Sequence, residues 1–147
     1  MTSWEQTVFP MLSYEDAGAA AEWTARAFGF EELERYASDD GTVTHVTMRA
    51  GSGLLMFGWP GPEYRSPRHH AETCDEARRW LQVPYVVDGV LVYVDGIDEH
   101  HARSTAEGAR ILSEVEENRA IGQKQYRAED IEGHRWMFAE RLDADTR

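Results

Sequence analysis

The chain is short of cysteine (one), of proline (five) and of basic residues (15 against 27 acids), and it has no apolar run long enough to cross a bilayer. Each scarcity excludes something. A lone Cys74 closes no internal disulfide and fits a reducing cytoplasm. It also sits among Glu72, Asp75 and Glu76, the opposite of the electropositive surroundings that a nucleophilic thiolate needs. A formal net charge of −12 repels phosphate backbones and anionic lipid surfaces, so neither a nucleic acid nor a membrane is an expected partner. The N-terminal MTSWEQTVF carries neither a basic stretch nor a long apolar one, so no secretory signal is expected. No Ser-His-Asp or Cys-His spacing supports nucleophilic catalysis, and no strand–Gly-rich loop–helix unit is present to bind phosphate.

What is present is an ordinary globular composition, 41% hydrophobic and 11% aromatic over 147 residues, which sets the expectation of one domain spanning 1–147. Residues 7–15 read as a strand, with Pro10 pointing to an edge or a bulge. Asp16 stands as N-cap before an alanine-rich helix over 17–28, whose Ala20, Trp23, Ala27 and Phe28 recur at helical spacing, and Gly29 stops it. Residues 30–38 and 43–50 then form a hairpin about Asp39-Asp40-Gly41, and Gly51-Ser52-Gly53 turns the chain into a strand over 54–59. In the 43–50 strand Val43, His45, Thr47 and Arg49 share one face, and Thr44, Val46, Met48 and Ala50 the other.

Four of the five prolines fall between 60 and 84. Residues 60–75 read as irregular on that account. Thr73 to Glu76 reads as a capping box before a short helix over 75–81, and 83–87 as extended, so 60–88 is a connector. From Gly89 the first pattern returns: a strand over 90–95, a helix ending at Gly108, and strands over 111–115, 124–129 and 134–140. A shift of 79 places Tyr14 on Tyr93, Asp16 on Asp95 and Gly29 on Gly108, and a shift of 81 places Met56-Phe57 on Met137-Phe138. The units 7–59 and 89–142 therefore read as a duplicated β-α-β-β-β, an α+β class.

The last hairpin, YRAEDIEGHRWMFAE over 126–140, adds a turn of the form D-x-x-G-H between alternating aromatics. With Asp130, Glu132, Gly133, His134 and Trp136 in place, and Ile131 where proline is usual, it resembles the end of a glyoxalase/bleomycin-resistance/dioxygenase domain, the vicinal oxygen chelate superfamily. The resemblance covers about 7–142. It implies two curled mixed sheets of βαβββ units around a cleft, and a homodimer whose subunits can share clefts. It also implies, in metal-dependent members, one divalent cation held at positions that here are Phe9, Met56, Gly89 and Met137. None of these offers a hard nitrogen or oxygen side chain, which points to the metal-free branch. Asp88 is the one neighbour able to coordinate, and Glu140 has the opposite strand parity to Met137 and is expected to face outward.

Aromatic residues are the remaining candidates. Tyr36, His45, Phe57, Trp59, Trp80, Tyr126 and Trp136, with Tyr64 and Tyr85, lie on the strands and connector expected around the cleft, and such walls suit flat or cationic ligands. Core and dimer contacts are the competing reading for half or more of them. His69-His70, His100-His101 and His134 read as surface or structural. The expected function is binding of a small aromatic or cationic organic molecule, with no metal or other cofactor. One alternative is a lyase, isomerase or dioxygenase of the same superfamily using non-standard metal ligands or none, with His45 and Glu140 as the catalytic candidates. The other is a protein-interaction module acting through 60–87.

Overall fold

In the computed structural model, which describes residues 5–83 and 89–143, local sequence signals set most element boundaries. Strand β1 (Met11–Ser13) follows Pro10 and is an edge, as proline there requires. Helix α1 (Ala17–Phe28) begins where the Asp16 carboxylate accepts the Ala19 N–H, and ends at Gly29 in the left-handed conformation. Strands β2 (Glu31–Ala37), β3 (Val43–Ala50) and β4 (Gly53–Gly58) complete the first unit. Helices α2 (Pro67–Thr73) and α3 (Asp75–Leu81) come next. The second unit is β5 (Gly89–Tyr93), α4 (Ile97–Ala106), β6 (Arg110–Asn118), β7 (Gln123–Glu129) and β8 (Arg135–Arg141).

Each unit forms a four-stranded mixed sheet of the same order, β1-β4-β3-β2 and β5-β8-β7-β6. The first strand lies parallel to the last, and the other pairings are antiparallel. This is the duplicated α+β architecture expected from the sequence. The register corrects one landmark. Met56 pairs with Met11 and Met137 with Leu91, and the Tyr14 and Val94 amides donate equivalently to Gly58 and Ala139. Tyr14 therefore corresponds to Val94, not to Tyr93. The two tyrosines differ accordingly: Tyr14 is buried, whereas Tyr93 faces away from the helices.

Both helices lie on one side of the sheets and bind each other. Trp23 Nε1 donates to the Glu107 carbonyl (2.8 Å), Arg103 to the Arg26 and Ala25 carbonyls, and His100 Nε2 to the Phe28 carbonyl (2.9 Å). Between helices and sheets sits an aromatic core of Phe28, Phe30, Phe57, Tyr126, Trp136 and Phe138. His100 packs against it, half-buried, with Nδ1 2.6 Å from the Tyr126 hydroxyl, and burial pulls its pKa below the ordinary value, so the neutral ring is the form that fits. Burial likewise pushes the Tyr126 phenol up to about 12.

The connector departs from the reading of its prolines. Ser66 caps α2 by accepting the His69 N–H, and Pro67 occupies the first turn, where a missing N–H costs nothing. Ser-Pro was the available signal, and the density of prolines around it masked that signal. The Thr73–Glu76 capping box does not form, because Thr73 is the last residue of α2 and Cys74 makes no side-chain cap to α3. The extended reading of 83–87, with Tyr85 and Asp88, falls almost wholly outside the described residues.

Helix α2 is held from two sides. The Glu15 carboxylate accepts the Ser66 N–H (3.0 Å) and lies 3.1 Å from His69 Nδ1. On the other side the Arg68 amide donates to the Glu132 carbonyl (3.0 Å). A Cβ on Gly133, which has φ +94°, would stand 2.9 Å from the Arg68 nitrogen. Glycine is thus required twice over at that point of the hairpin turn.

Hydrogen bonding from Ser66, with His69 adding to it, holds the Glu15 carboxyl down at about 2. A depressed carboxylate pKa contributes stability above the unfolded value and loses it as pH falls toward the folded one. The contribution of Glu15 is therefore present at pH 6 and gone near pH 2. Denaturant melts at stepped pH should show Glu15→Gln less stable than the parent at pH 6, with the two converging as pH falls. A constant gap across that range would rule this role out. Glu132, raised mainly by burial, has the opposite sign and is unchanged in this comparison.

Candidate functional site

The connector and the outward sheet faces divide the predicted site residues into three groups. Phe57, Tyr126 and Trp136 are fully buried on the helix side of their strands, so they are core and do not line a cleft. Period-two alternation placed them together correctly but could not say which face the helices would cover. Tyr36 and His45 are cross-strand partners on the opposite face, ring centroids 5.6 Å apart. His45 Nε2 lies 3.0 Å from Thr47 Oγ1, and that hydroxyl points to Met56 Sδ at 3.4 Å. Trp59 follows β4, half-buried, with its amide bonded to the Thr44 carbonyl.

Trp80 belongs to a third place. A cavity of about 560 Å³ lies within the connector, walled by Trp80 and Leu81 of α3, Pro67 and His70 of α2, and Tyr64 of the preceding loop. Its size is that of a small-ligand site, and its wall is mainly apolar. Arg65 and Glu76 also line it, and the Glu76 carboxylate is paired with Arg79. Burial, with the nearby Glu132 and Asp130 carboxylates, pushes the Tyr64 phenol up to about 12, so this wall carries a neutral hydroxyl at physiological pH. Tyr36 and His45 do not line this cavity.

The motif residues of the last hairpin are structural. Asp130 is buried and accepts four bonds: Tyr14 Oη (2.7 Å), Trp136 Nε1 (3.0 Å), and the amides of Glu132 and His134 (3.0 Å each). Burial and the adjoining Asp130 carboxylate push the Tyr14 phenol well above its ordinary value, so it remains a donor. The Glu132 carboxylate receives the Glu15 and Asp16 amides, and His134 Nε2 meets the Ser13 carbonyl at 2.6 Å. The turn thereby fastens the second unit to the end of β1. Glu140, expected to face outward, instead lies on the helix side and accepts the Gly96 amide (2.8 Å) at the start of α4. Its carboxylate is committed to a helix terminus.

Of the positions Phe9, Met56, Gly89 and Met137 that would hold a divalent ion, the last three lie on strands. Met11 pairs with Met56 across one sheet and Leu91 with Met137 across the other, while Gly89 pairs with Arg135. A phenyl ring, two thioethers and a glycine at those four positions do not fit a hard cation. Among the described residues no three His, Cys, Asp or Glu side chains converge to hold a metal. No helix among them is long and apolar enough to cross a membrane.

No protein-family model matches the chain, and no curated protein does. Solved structures do. TioX from Micromonospora sp. ML1 is 32% identical, over 95% of this chain and 98% of that one, with a TM-score of 0.67. A glyoxalase/bleomycin resistance protein/dioxygenase from Alicyclobacillus acidocaldarius matches 99% of this chain and 98% of its own at 10% identity, with a TM-score of 0.64. The chain belongs to the glyoxalase/bleomycin-resistance/dioxygenase superfamily. The same fold is found in TnmS3, an antibiotic binding protein from Streptomyces sp. CB03234, at 13% identity over 95% of this chain and 99% of that one, with a TM-score of 0.59. The D-x-x-G-H hairpin of the chain is present at Asp130, Gly133 and His134.

Proposed function

We propose that this superfamily member binds a small aromatic or cationic organic molecule, without a bound metal, in the connector cavity. The observation that carries this is the cavity of about 560 Å³ with Trp80 and Tyr64 in its wall. Aromatic faces stack on planar ligands and attract cations. The long-range field of a −12 chain draws cations in the same direction. The similarity in fold to TnmS3, an antibiotic binding protein, supports a small-molecule ligand.

Calorimetric titration of the full chain with a panel of planar aromatic cations, in buffer containing EDTA, tests this. At least one member of the panel should bind with one-to-one stoichiometry, and the chelator should leave its affinity unchanged. Affinity abolished by EDTA and restored by a divalent ion would overturn the metal-free part. Absence of saturable binding across the panel would overturn the ligand class.

A further inference from the structure

Across α2 and α3 from the aromatic cavity lies a cluster of positive charge. Glu129 is buried at the end of β7, and its single carboxylate serves three guanidinium groups. Arg110 Nη1 is 3.2 Å from Oε2, Arg135 Nε is 3.0 Å from the same oxygen, and Arg68 Nη2 is 3.8 Å from Oε1. Arg135 is itself buried, donating to the Leu81 and Val83 carbonyls, and its Nε is near enough to pair with Glu129 but not aligned to hydrogen-bond it. Three charges against one leave an excess of two positives, in a chain whose net charge is −12. Burial lowers the Arg135 pKa from its ordinary value, and the neighbouring Arg110 adds to that, as expected where positive charge is incompletely balanced. Nothing in the binding of an aromatic cation uses this cluster.

The cluster opens onto its own recess of about 220 Å³, lined by Arg68, Arg78 and Arg110 with Gln82 and the edge of Glu129. The Arg68 and Arg110 side chains are roughly half exposed, and although Arg68 Nη2 also donates to the Asp130 carbonyl (2.9 Å), N–H donors remain on both guanidinium groups. Arg78 brings a third guanidinium, bonded at 2.5 Å to Asp75, which can be shared with a second acceptor. Planar forks of this kind recognise carboxylate and phosphate oxygens in pairs.

We propose that this recess is a binding site for a small oxyanion, a carboxylate or a phosphate, held by Arg68, Arg78 and Arg110 over the buried Glu129. The site is separate from the aromatic cavity and stands or falls independently of what that cavity binds. Glu129 fixes the guanidinium groups, and Arg135 fixes Glu129 by anchoring to the end of α3. The ligand neutralises the surplus charge.

The test is calorimetric titration of the full chain with phosphate and, separately, with acetate, at an ionic strength held constant with chloride. One-to-one saturable binding of either anion is expected, and which of them binds distinguishes a phosphate from a carboxylate site. Arg110→Gln and, in a second protein, Arg78→Gln should each weaken it at least tenfold. Arg78 does not touch Glu129, so its substitution reads the recess even where loss of Arg110 disturbs folding, and circular dichroism checks both. Heats no different from a chloride control, or equal affinity in parent and Arg78→Gln, would overturn the proposal.

Discussion

Asp130→Ala is expected to destabilise the protein by about 3–5 kcal/mol, more than any single truncation at the surface. The carboxylate accepts from Tyr14 Oη, Trp136 Nε1 and two backbone amides, and it is almost completely buried. Removing it strands two buried donors, Tyr14 Oη and Trp136 Nε1, and frees two half-buried amides, and each stranded buried donor costs about 1–3 kcal/mol, less whatever local relaxation recovers. The loss also unfastens the hairpin turn from β1, since Tyr14 belongs to the first unit and Trp136 to the second. Urea unfolding followed by tryptophan fluorescence checks this. A midpoint within about 0.5 kcal/mol of the parent would mean that the turn holds itself without the carboxylate. Tyr14→Phe is the milder companion, with a loss of about 1–2 kcal/mol, because one partner leaves and three remain.

Trp80→Ala should reduce affinity for a bound aromatic cation by about ten- to thirtyfold while leaving stability within about 0.5 kcal/mol. The two halves of that expectation have one cause. Trp80 is 57% exposed, so its indole contributes little to folding, yet it forms a wall of the connector cavity. A stacked indole is the type of group that dominates small-molecule and interface affinities. Tyr36→Ala is the informative control. Tyr36 is equally exposed at 57% but lies on the outward sheet face beside His45, away from the cavity. If the Tyr36 variant lost affinity and the Trp80 variant kept it, the ligand would sit on the sheet face, and the assignment to the connector would fail.

The sequence by itself determined the elements and their repetition, because the signals for these are local. Asp16 and Gly29 bound a helix through their own side chain and backbone freedom, and alternation over 126–140 makes a hairpin whatever lies around it. It also determined that Met56, Gly89 and Met137 offer no hard donor, a matter of residue type alone. Only the tertiary structure decided which side of each sheet is inside. Alternation assigns Tyr126 and Trp136 to one face and Gln125 and Met137 to the other, but both faces carry apolar groups, and the choice rests on where α1 and α4 pack. The same packing turned Glu140 toward the start of α4. The cavity at Trp80 and the arginine cluster around Glu129 are tertiary for the same reason. Their residues come from the loop before α2, from α2 and α3, and from β6, β7 and β8, and no spacing along the chain brings Arg68, Arg110 and Arg135 to one carboxylate.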